Sequence, residues 1–440
     1  MKSSRVRPTR REFLRAAGAA FAAPYVIPSA ATNLRLVPGA GDRPAASARI
    51  TTALIGSGDR GQQIIAGGDQ VVAVCDVDAK HREAAKAKID AMSGNRDCAA
   101  YNDFREVLAR DDVDAVVIAT PDHWHVPMSI AAVKAGKAVY VEKPLSHSIR
   151  EGRVLADVVR RYGAILQVGS QQRSPEYEKF TRACELVRNG RIGELRTVKV
   201  TIYARGGNNN PWRPQRVPPE IDYEMWLGPA PWSPYHKDRV HYKFRFVSDF
   251  SGGDITNWGA HHLDIAQWAL AADESGPLEI VGRGKRNASG IHDTFYEIAV
   301  DFTYAGGVKV ELRSGGPEVD TGGVRFEGTE GWVFVSRDQF QAEPESLGSA
   351  RIGPEEIHLA PESESSTHMG IWLDCIRKRN PKGLNVPVEV GHRSATVCHL
   401  ANIAMELGRP LKWDPAAEQF LDDEEANRLC WHAMREPWRL

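Results

Sequence analysis

Apolar positions follow two regimes along the 440-residue chain. From about residue 49 to 168, short apolar runs at 49–55, 71–75, 115–119, 138–141 and 165–168 read as buried strands, each stopping at glycine or a polar residue. Between them, 62–66, 79–92, 104–109, 126–135 and 148–162 read as helices, with Gly136 placed as a C-cap. Strands and helices alternating at these lengths predict an α/β doubly wound parallel sheet, whose ligands collect beyond the carboxyl ends of the strands.

After residue 169 the period falls to two. Runs at 195–203, 278–282, 294–302, 308–313, 324–328 and 331–335, separated by Gly-rich turns, predict a large open antiparallel sheet in an α+β domain. An aromatic segment at 204–250 interrupts them, and helices return at 369–378 and 393–407. The resulting division is a leader and linker at 1–46, a first domain at 47–168 and a second at 169–440.

Composition narrows the function classes. With 42% hydrophobic and 26% charged residues the chain can fill two cores, and a net charge of -1 gives no electrostatic footprint for nucleic acid or an anionic membrane surface. The six cysteines are scattered without C-x-x-C or zinc spacing and read as buried thiols. Arg10-Arg11 precede a short, weakly apolar stretch at 16–27 and the small-residue site Pro28-Ser29-Ala30-Ala31, which predicts a twin-arginine export signal. The other reading is a basic helical tail with a chance arginine pair. The apolar stretch is short for a membrane span, and no later segment has eighteen uncharged apolar residues. The mature protein is expected outside the cytoplasm, carried there folded with its cofactor bound.

The chemistry sits at the strand ends. Gly56-Ser57-Gly58-Asp59-Arg60-Gly61 follows the first strand and opens a helix, the context that G-x-G-x-x-G needs in order to cradle a dinucleotide pyrophosphate. Asp76 ends the second strand at the spacing of an acid that bonds both ribose hydroxyls, which favours NAD over NADP because a 2'-phosphate would meet its carboxylate. Thr120 and Pro121, then Trp124 and His125, follow the third long strand, and Glu142-Lys143-Pro144 follows the fourth. Lys143 can share a proton with a reacting hydroxyl, or it can be a structural lysine paired with Glu142.

These motifs, with Ala135-Gly136-Lys137 and Gly259-Ala260-His261-His262-Leu263-Asp264, resemble the glucose-fructose oxidoreductase / inositol dehydrogenase (Gfo/Idh/MocA) family across essentially the whole mature chain. The resemblance implies a Rossmann domain followed by a substrate-binding and oligomerisation domain, and hydride transfer between tightly bound nicotinamide and a sugar or cyclitol hydroxyl. It maps the family's lysine onto Lys143, implies a cis Lys143-Pro144 bond, and brings His125 and Gln171 near the nicotinamide, with Arg173 facing the substrate. The family's Asp-x-x-x-His appears here as Asn257 to His261. If that segment is helical, the two share a face. His261 is then the expected general base and Asn257 orients it. Asn257 cannot ionise, which weakens the proton-transfer half of the mechanism.

Trp226 and Tyr242 in the aromatic segment are candidates for stacking on a sugar ring, although its tryptophans could equally be core. No metal site is expected: adjacent histidines in a helix diverge by about 100°, so His261 and His262 do not converge on one ion. A homo-oligomer, dimer or tetramer, is implied. Three activities follow: an exported sugar, glycoside or cyclitol oxidoreductase; a glycoside hydrolase that oxidises, eliminates and re-reduces on retained NAD; or a sugar-binding protein without catalysis.

Overall fold

A computed structural model describes residues 49–440 except 68, 205–209, 316–321 and 362. Arg10, Arg11 and the expected export segment 1–46 lie outside the described residues.

Strands β1 (Thr51–Ile55), β2 (Gln70–Cys75), β3 (Ala99–Tyr101), β4 (Ala115–Ile118), β5 (Ala138–Glu142) and β6 (Leu166–Gly169) form a parallel sheet in the order β3-β2-β1-β4-β5-β6. The order reverses between β1 and β4, which opens a crevice at their carboxyl ends. Helices α1 (Asp59–Ile64), α2 (Ala79–Ser93), α3 (Phe104–Leu108), α4 (Asp122–Lys134) and α5 (Ile149–Tyr162) connect the strands. Asp78 caps α2 by accepting from the Lys80 N–H, and Ser148 caps α5 through the Glu151 N–H. The α4 helix starts four residues before the expected 126. His123, Trp124 and His125 therefore occupy its first turns, buried, rather than a loop.

The second sheet has nine strands: β7 (Leu195–Ile202), β8 (Glu279–Arg286), β9 (Phe295–Thr303), β10 (Lys309–Ser314), β11 (Gly323–Gly328), β12 (Trp332–Val335), β13 (Phe340–Glu343), β14 (Leu411–Asp414) and β15 (Gln419–Phe420). Their order is β13-β12-β11-β7-β10-β9-β8-β14-β15. It is antiparallel except where β10 pairs with β7 in parallel. The β8-β9-β10 meander returns after the long crossover that follows β7, and a crossover of that length brings the third strand in alongside with the same direction.

Helices α6 (Glu178–Arg188), α7 (Tyr223–Leu227), α8 (Ala260–Ala269), α9 (His368–Lys378) and α10 (Val388–Leu407) complete the frame. Phe180 of α6, Leu263 of α8 and Leu400 of α10 pack on Val200, Phe302 and Leu312, the inward residues of alternating strands. Each such side chain contributes about 1.5–3 kcal/mol on burial. Helix α9 returns to the first sheet, where Met369, Trp372 and Leu373 share a core with Leu54, Val74 and Tyr140. The Val168 N–H also bonds the Val386 carbonyl at 3.0 Å. The chain therefore crosses the 168/169 division a second time, which a linear reading of periodicity does not show.

Within the aromatic segment, Ile221, Trp226, Leu227, Tyr235 and Phe250 form a small core of their own. This strap is fastened to the end of β2 by main-chain bonds from Asp222 N–H to the Val77 carbonyl and from Ala79 N–H to the Glu220 carbonyl, each 2.9 Å.

Candidate active site

A cleft of about 1020 Å³ opens beyond the carboxyl ends of the first sheet, with the strap, the turn before α8 and Arg337 on its far wall. Its size is at the upper end of the roughly 300–1,000 Å³ of single-ligand pockets, which suits two ligands together.

The first-domain wall is built for a dinucleotide. Gly56 turns at a φ of 85°, and a Cβ there would lie 2.7 Å from the Ala119 and Thr120 backbone. A Cβ on Gly61 would lie 2.2 Å from the Gly56 carbonyl oxygen. Only glycine permits this close turn, and no side chain caps α1, so its first amides remain for an anion. Gly58, Asp59 and Arg60 line the cleft. Ser57 is wholly buried, and its role is to hold the acid: Asp76 Oδ2 accepts from the Ser57 N–H at 2.7 Å and its hydroxyl at 3.2 Å. Asp76 Oδ1 accepts from the Asp78 N–H at 2.9 Å, and burial pushes the Asp76 carboxyl up against these bonds. These residues fit a dinucleotide, with the turn for the pyrophosphate and Asp76 for a ribose.

Glu142 accepts from Arg60 Nε at 2.8 Å and Gln171 Nε2 at 2.9 Å, while Gln171 also donates to Tyr140 Oη at 2.8 Å. Glu142 is therefore engaged by Arg60, and Lys143 turns elsewhere. Thr120 and Pro121 line the cleft. The His125 ring nitrogens sit 2.7 Å from the Pro144 carbonyl and 2.9 Å from that of Thr120, tying the end of β4 to the segment that carries Lys143. Trp124 touches the cleft but is nearly all core, its Nε1 donating to the Trp226 carbonyl at 3.1 Å.

The Lys143-Pro144 bond is cis. Lys143 Nζ donates to both the main-chain and the side-chain oxygen of Asn257, at 3.1 Å each. Burial lowers its pKa to about 8, against the pull of Glu142 and Asp122. Asn257 thus orients the lysine, not the histidine. The reason is local: Ile255–Gly259 is a π-turn leading into α8, and its extra residue rotates Asn257 off the face it would share with His261 in an α-helix. Accordingly, His261 Nδ1 is buried with no hydrogen-bond partner among the described residues. His261 Nε2 lies 3.4 Å from an Arg337 nitrogen. Burial, then Lys143 and Arg337, hold the His261 pKa well below the usual imidazole range. Burial and the two neighbouring cations thus all oppose protonation of this ring.

Arg173 leaves the substrate list. It is buried, away from the cleft, with Nε 2.9 Å and Nη2 2.8 Å from the Asp264 carboxylate, and a further 2.9 Å contact to Asp273. A guanidinium just past the last Rossmann strand looks like a cofactor-facing residue until its acidic partners on and after α8 are known. Trp226 shows one edge to the cleft and otherwise fills the strap core. Tyr242 is 43% exposed at the cleft, with the Arg245 guanidinium 4.0 Å from its ring centre.

Sequence reasoning missed Arg337, Trp258 and Tyr177, which meet at the substrate end. Arg337 lies 5.4 Å from the Tyr177 ring centre and 5.1 Å from that of Trp258. No motif marks it. Also missed are Asp78, His81 and His241, whose ligand atoms lie within 4.8 Å of one another beside Asp76. That spread exceeds the roughly 3.4 Å separation implied by a tetrahedral zinc shell of about 2.1 Å radius. The cluster flanks Asp76 instead.

A doubly wound sheet with a glycine turn, Asp76 and Lys143 at one crevice is the arrangement of a dinucleotide-binding oxidoreductase fold. Residues 50–170 match the family described as "Oxidoreductase family, NAD-binding Rossmann fold", and residues 191–440 match "Oxidoreductase family, C-terminal alpha/beta domain". The chain belongs to the Gfo/Idh/MocA family. It is similar to scyllo-inositol 2-dehydrogenase (NAD(+)) of Bacillus subtilis (strain 168), 28% identical over 241 residues, covering 52% of this chain and 57% of the relative. It also resembles a glycosyl hydrolase family 109 protein of Saccharopolyspora erythraea, 34% identical over 160 residues and 33% of each chain. These matches span only a third to just over half of the relatives' length. Among solved structures, the WlbA dehydrogenase from Bordetella pertussis in complex with NADH and UDP-GlcNAcA superposes with a TM-score of 0.59 at 18% identity, over 83% of this chain and 99% of that one. The shared fold extends across both domains.

Proposed function

We propose that this chain is an exported oxidoreductase that moves hydride between a ring hydroxyl of a sugar, glycoside or cyclitol and tightly held NAD. The observation that carries this reading is Lys143, with a pKa near 8, in the same cleft as the glycine turn and Asp76. Bound nicotinamide supplies the hydride acceptor. Lys143, fixed by Asn257, takes the hydroxyl proton as the carbonyl forms, and neutral His261 adds no further cation beside Lys143 and Arg337. Asp76 favours NAD, since a 2'-phosphate would sit against its carboxylate. The test is to release and identify the bound nucleotide, then incubate the protein with a panel of glycosides and cyclitols while following nicotinamide absorbance and product sugars. Finding no bound or bindable nucleotide defeats the proposal.

The likeness to glycosyl hydrolase family 109 proteins supports a second reading, in which transient oxidation by NAD lets a neighbouring C–H acidify, the aglycone is eliminated, water adds to the unsaturated ketone, and NADH returns the hydride to restore the hydroxyl. Release of aglycone without lasting NADH absorbance selects it. We further propose that residues 1–46 direct export, tested by replacing Arg10 and Arg11 with lysine and locating the protein, and that copies associate as a homo-oligomer, tested by light scattering. No helix among the described residues is long and apolar enough to cross a membrane.

A further inference from the structure

Arg337 is an arginine without an acidic partner. Among the described residues no carboxylate lies within ion-pairing distance of it. Its Nε is buried and unbonded, and its guanidinium is steadied by the rings of Tyr177 and Trp258. It follows β12, lines the cleft, and reaches to 3.4 Å from His261 Nε2. Arginines that stabilise a fold are ordinarily satisfied, as Arg173 is here by Asp264 and Asp273. Placing this cation 3.4 Å from a histidine costs repulsion that no carboxylate among the described residues offsets.

The surrounding charges make the imbalance larger. Arg245 lines the same cleft, stacked on Tyr242 and Phe244, with no acidic partner among the described residues. Of the nearby acids, Glu142 is paired with Arg60, Asp122 accepts from Ser251 at 2.5 Å with burial raising its pKa, and Glu176 accepts from the His368 N–H at 2.7 Å, so none of the three is bonded to Arg337 or Arg245. The substrate end is therefore a cationic recess awaiting an anion. The cofactor pyrophosphate belongs to the glycine turn on the opposite wall, so the anion is the substrate's own. Arg337 also lies 3.4 Å from His261, in the same cleft as Lys143, a short reach that suits a charge on the same ring as the reacting hydroxyl.

We infer that Arg337 is a specificity-determining residue that receives a carboxylate on the sugar ring, so that the preferred substrate is a uronate-type sugar or glycoside. A planar guanidinium held between aromatic rings offers two parallel N–H donors, the fork that matches a carboxylate. This inference rests on the oxidoreductase reading above and names its substrate class.

The test is calorimetric titration of nucleotide-loaded protein with matched pairs, the methyl glycosides of glucose, galactose and mannose against their uronates, with a glucoside sulfate ester as a third arm. At least one uronate is expected to bind about tenfold or more tighter than its neutral partner. Arg337→Met, which keeps the stacking bulk, should reduce that preference to about threefold or less, and Arg337→Lys should retain part of it. Equal binding within every pair in the unmodified protein overturns the inference without need of any variant, as does a preference that survives Arg337→Met. A sulfate ester that outbinds every uronate overturns the carboxylate assignment. The nucleotide content of the same preparation separates the two failures: protein that neither carries nor takes up nucleotide defeats the oxidoreductase reading, whereas loaded protein indifferent to charge defeats this inference alone.

Discussion

Lys143 Nζ is held 3.1 Å from both the main-chain and the side-chain oxygen of Asn257, and among the described residues no carboxylate pairs with it. Two neutral acceptors aim the amine without stabilising its charge as strongly as an acid would. Because a general base must be unprotonated, kcat/KM for substrate oxidation should rise with pH through a midpoint near 8. Asn257→Asp puts an ionised group beside the ammonium and favours it, so the midpoint should move up by about one unit or more. A pH–rate profile of the two proteins reads this directly, and an unmoved midpoint removes Lys143 as the titrating base.

Replacing Lys143 with methionine should lower kcat by about 10²- to 10⁴-fold while nucleotide stays bound. It should also change stability with a definite sign. The lysine titrates near 8 in the folded protein against 10.5 when unperturbed, so between those values the unfolded chain holds the extra proton and wild-type stability rises with pH. Below about 8 the burial penalty is fully present. Lys143→Met should therefore melt higher than wild type at pH 7, with the gap narrowing as pH climbs from 8 towards 10.5. Melting curves at several pH values check it.

Gly61→Ala tests the dinucleotide cradle. Its Cβ would fall 2.2 Å from the Gly56 carbonyl oxygen, a backbone atom that cannot rotate away. The turn must open, and nucleotide affinity should drop by about 100-fold, an energy of roughly 2.7 kcal/mol. Fluorescence titration with NADH measures the loss, and binding within about threefold of wild type would show that the turn does not carry the pyrophosphate.

Arg173→Met should act on stability and not on substrate recognition. It strands the buried Asp264 carboxylate, whose pKa burial already raises while Arg173 opposes the rise. Removing one partner of such a buried pair costs about 3–5 kcal/mol. Denaturant unfolding should show that loss, with KM for the sugar little changed in the folded fraction. A large KM effect at unchanged stability would return Arg173 to the substrate site.

The first domain was legible because its signals are local. The glycine turn, Asp76 and Glu142-Lys143 each sit where a short apolar run stops, and strand ends of a doubly wound sheet converge by topology alone. What stayed hidden depended on distant partners or on a one-residue shift in helical phase. Asn257 and His261 are four apart, and only the π-turn at Ile255–Gly259 reveals that they do not pair. Arg173 and Arg337 look alike in sequence. One is neutralised by acids some ninety to a hundred residues later, and the other has no such acid among the described residues, a difference carried wholly by tertiary contacts. The parallel β7-β10 pair and the return of α9 to the first core were likewise invisible to periodicity, which reports burial but not neighbours.

The strap at 210–250 has a kinetic consequence. Its anchors, Asp222 to Val77 and Glu220 to Ala79, lie on the residues that follow Asp76, and His241 stands 3.5 Å from Asp78 on the same rim. The proposed dinucleotide, with its ribose on Asp76, would lie beside this rim, and its exchange should then follow local opening of the strap as well as its own contacts. A carrier retained in this way would be reset in place by a second visitor to the same cleft, and turnover would then not depend on free nucleotide in the surrounding compartment.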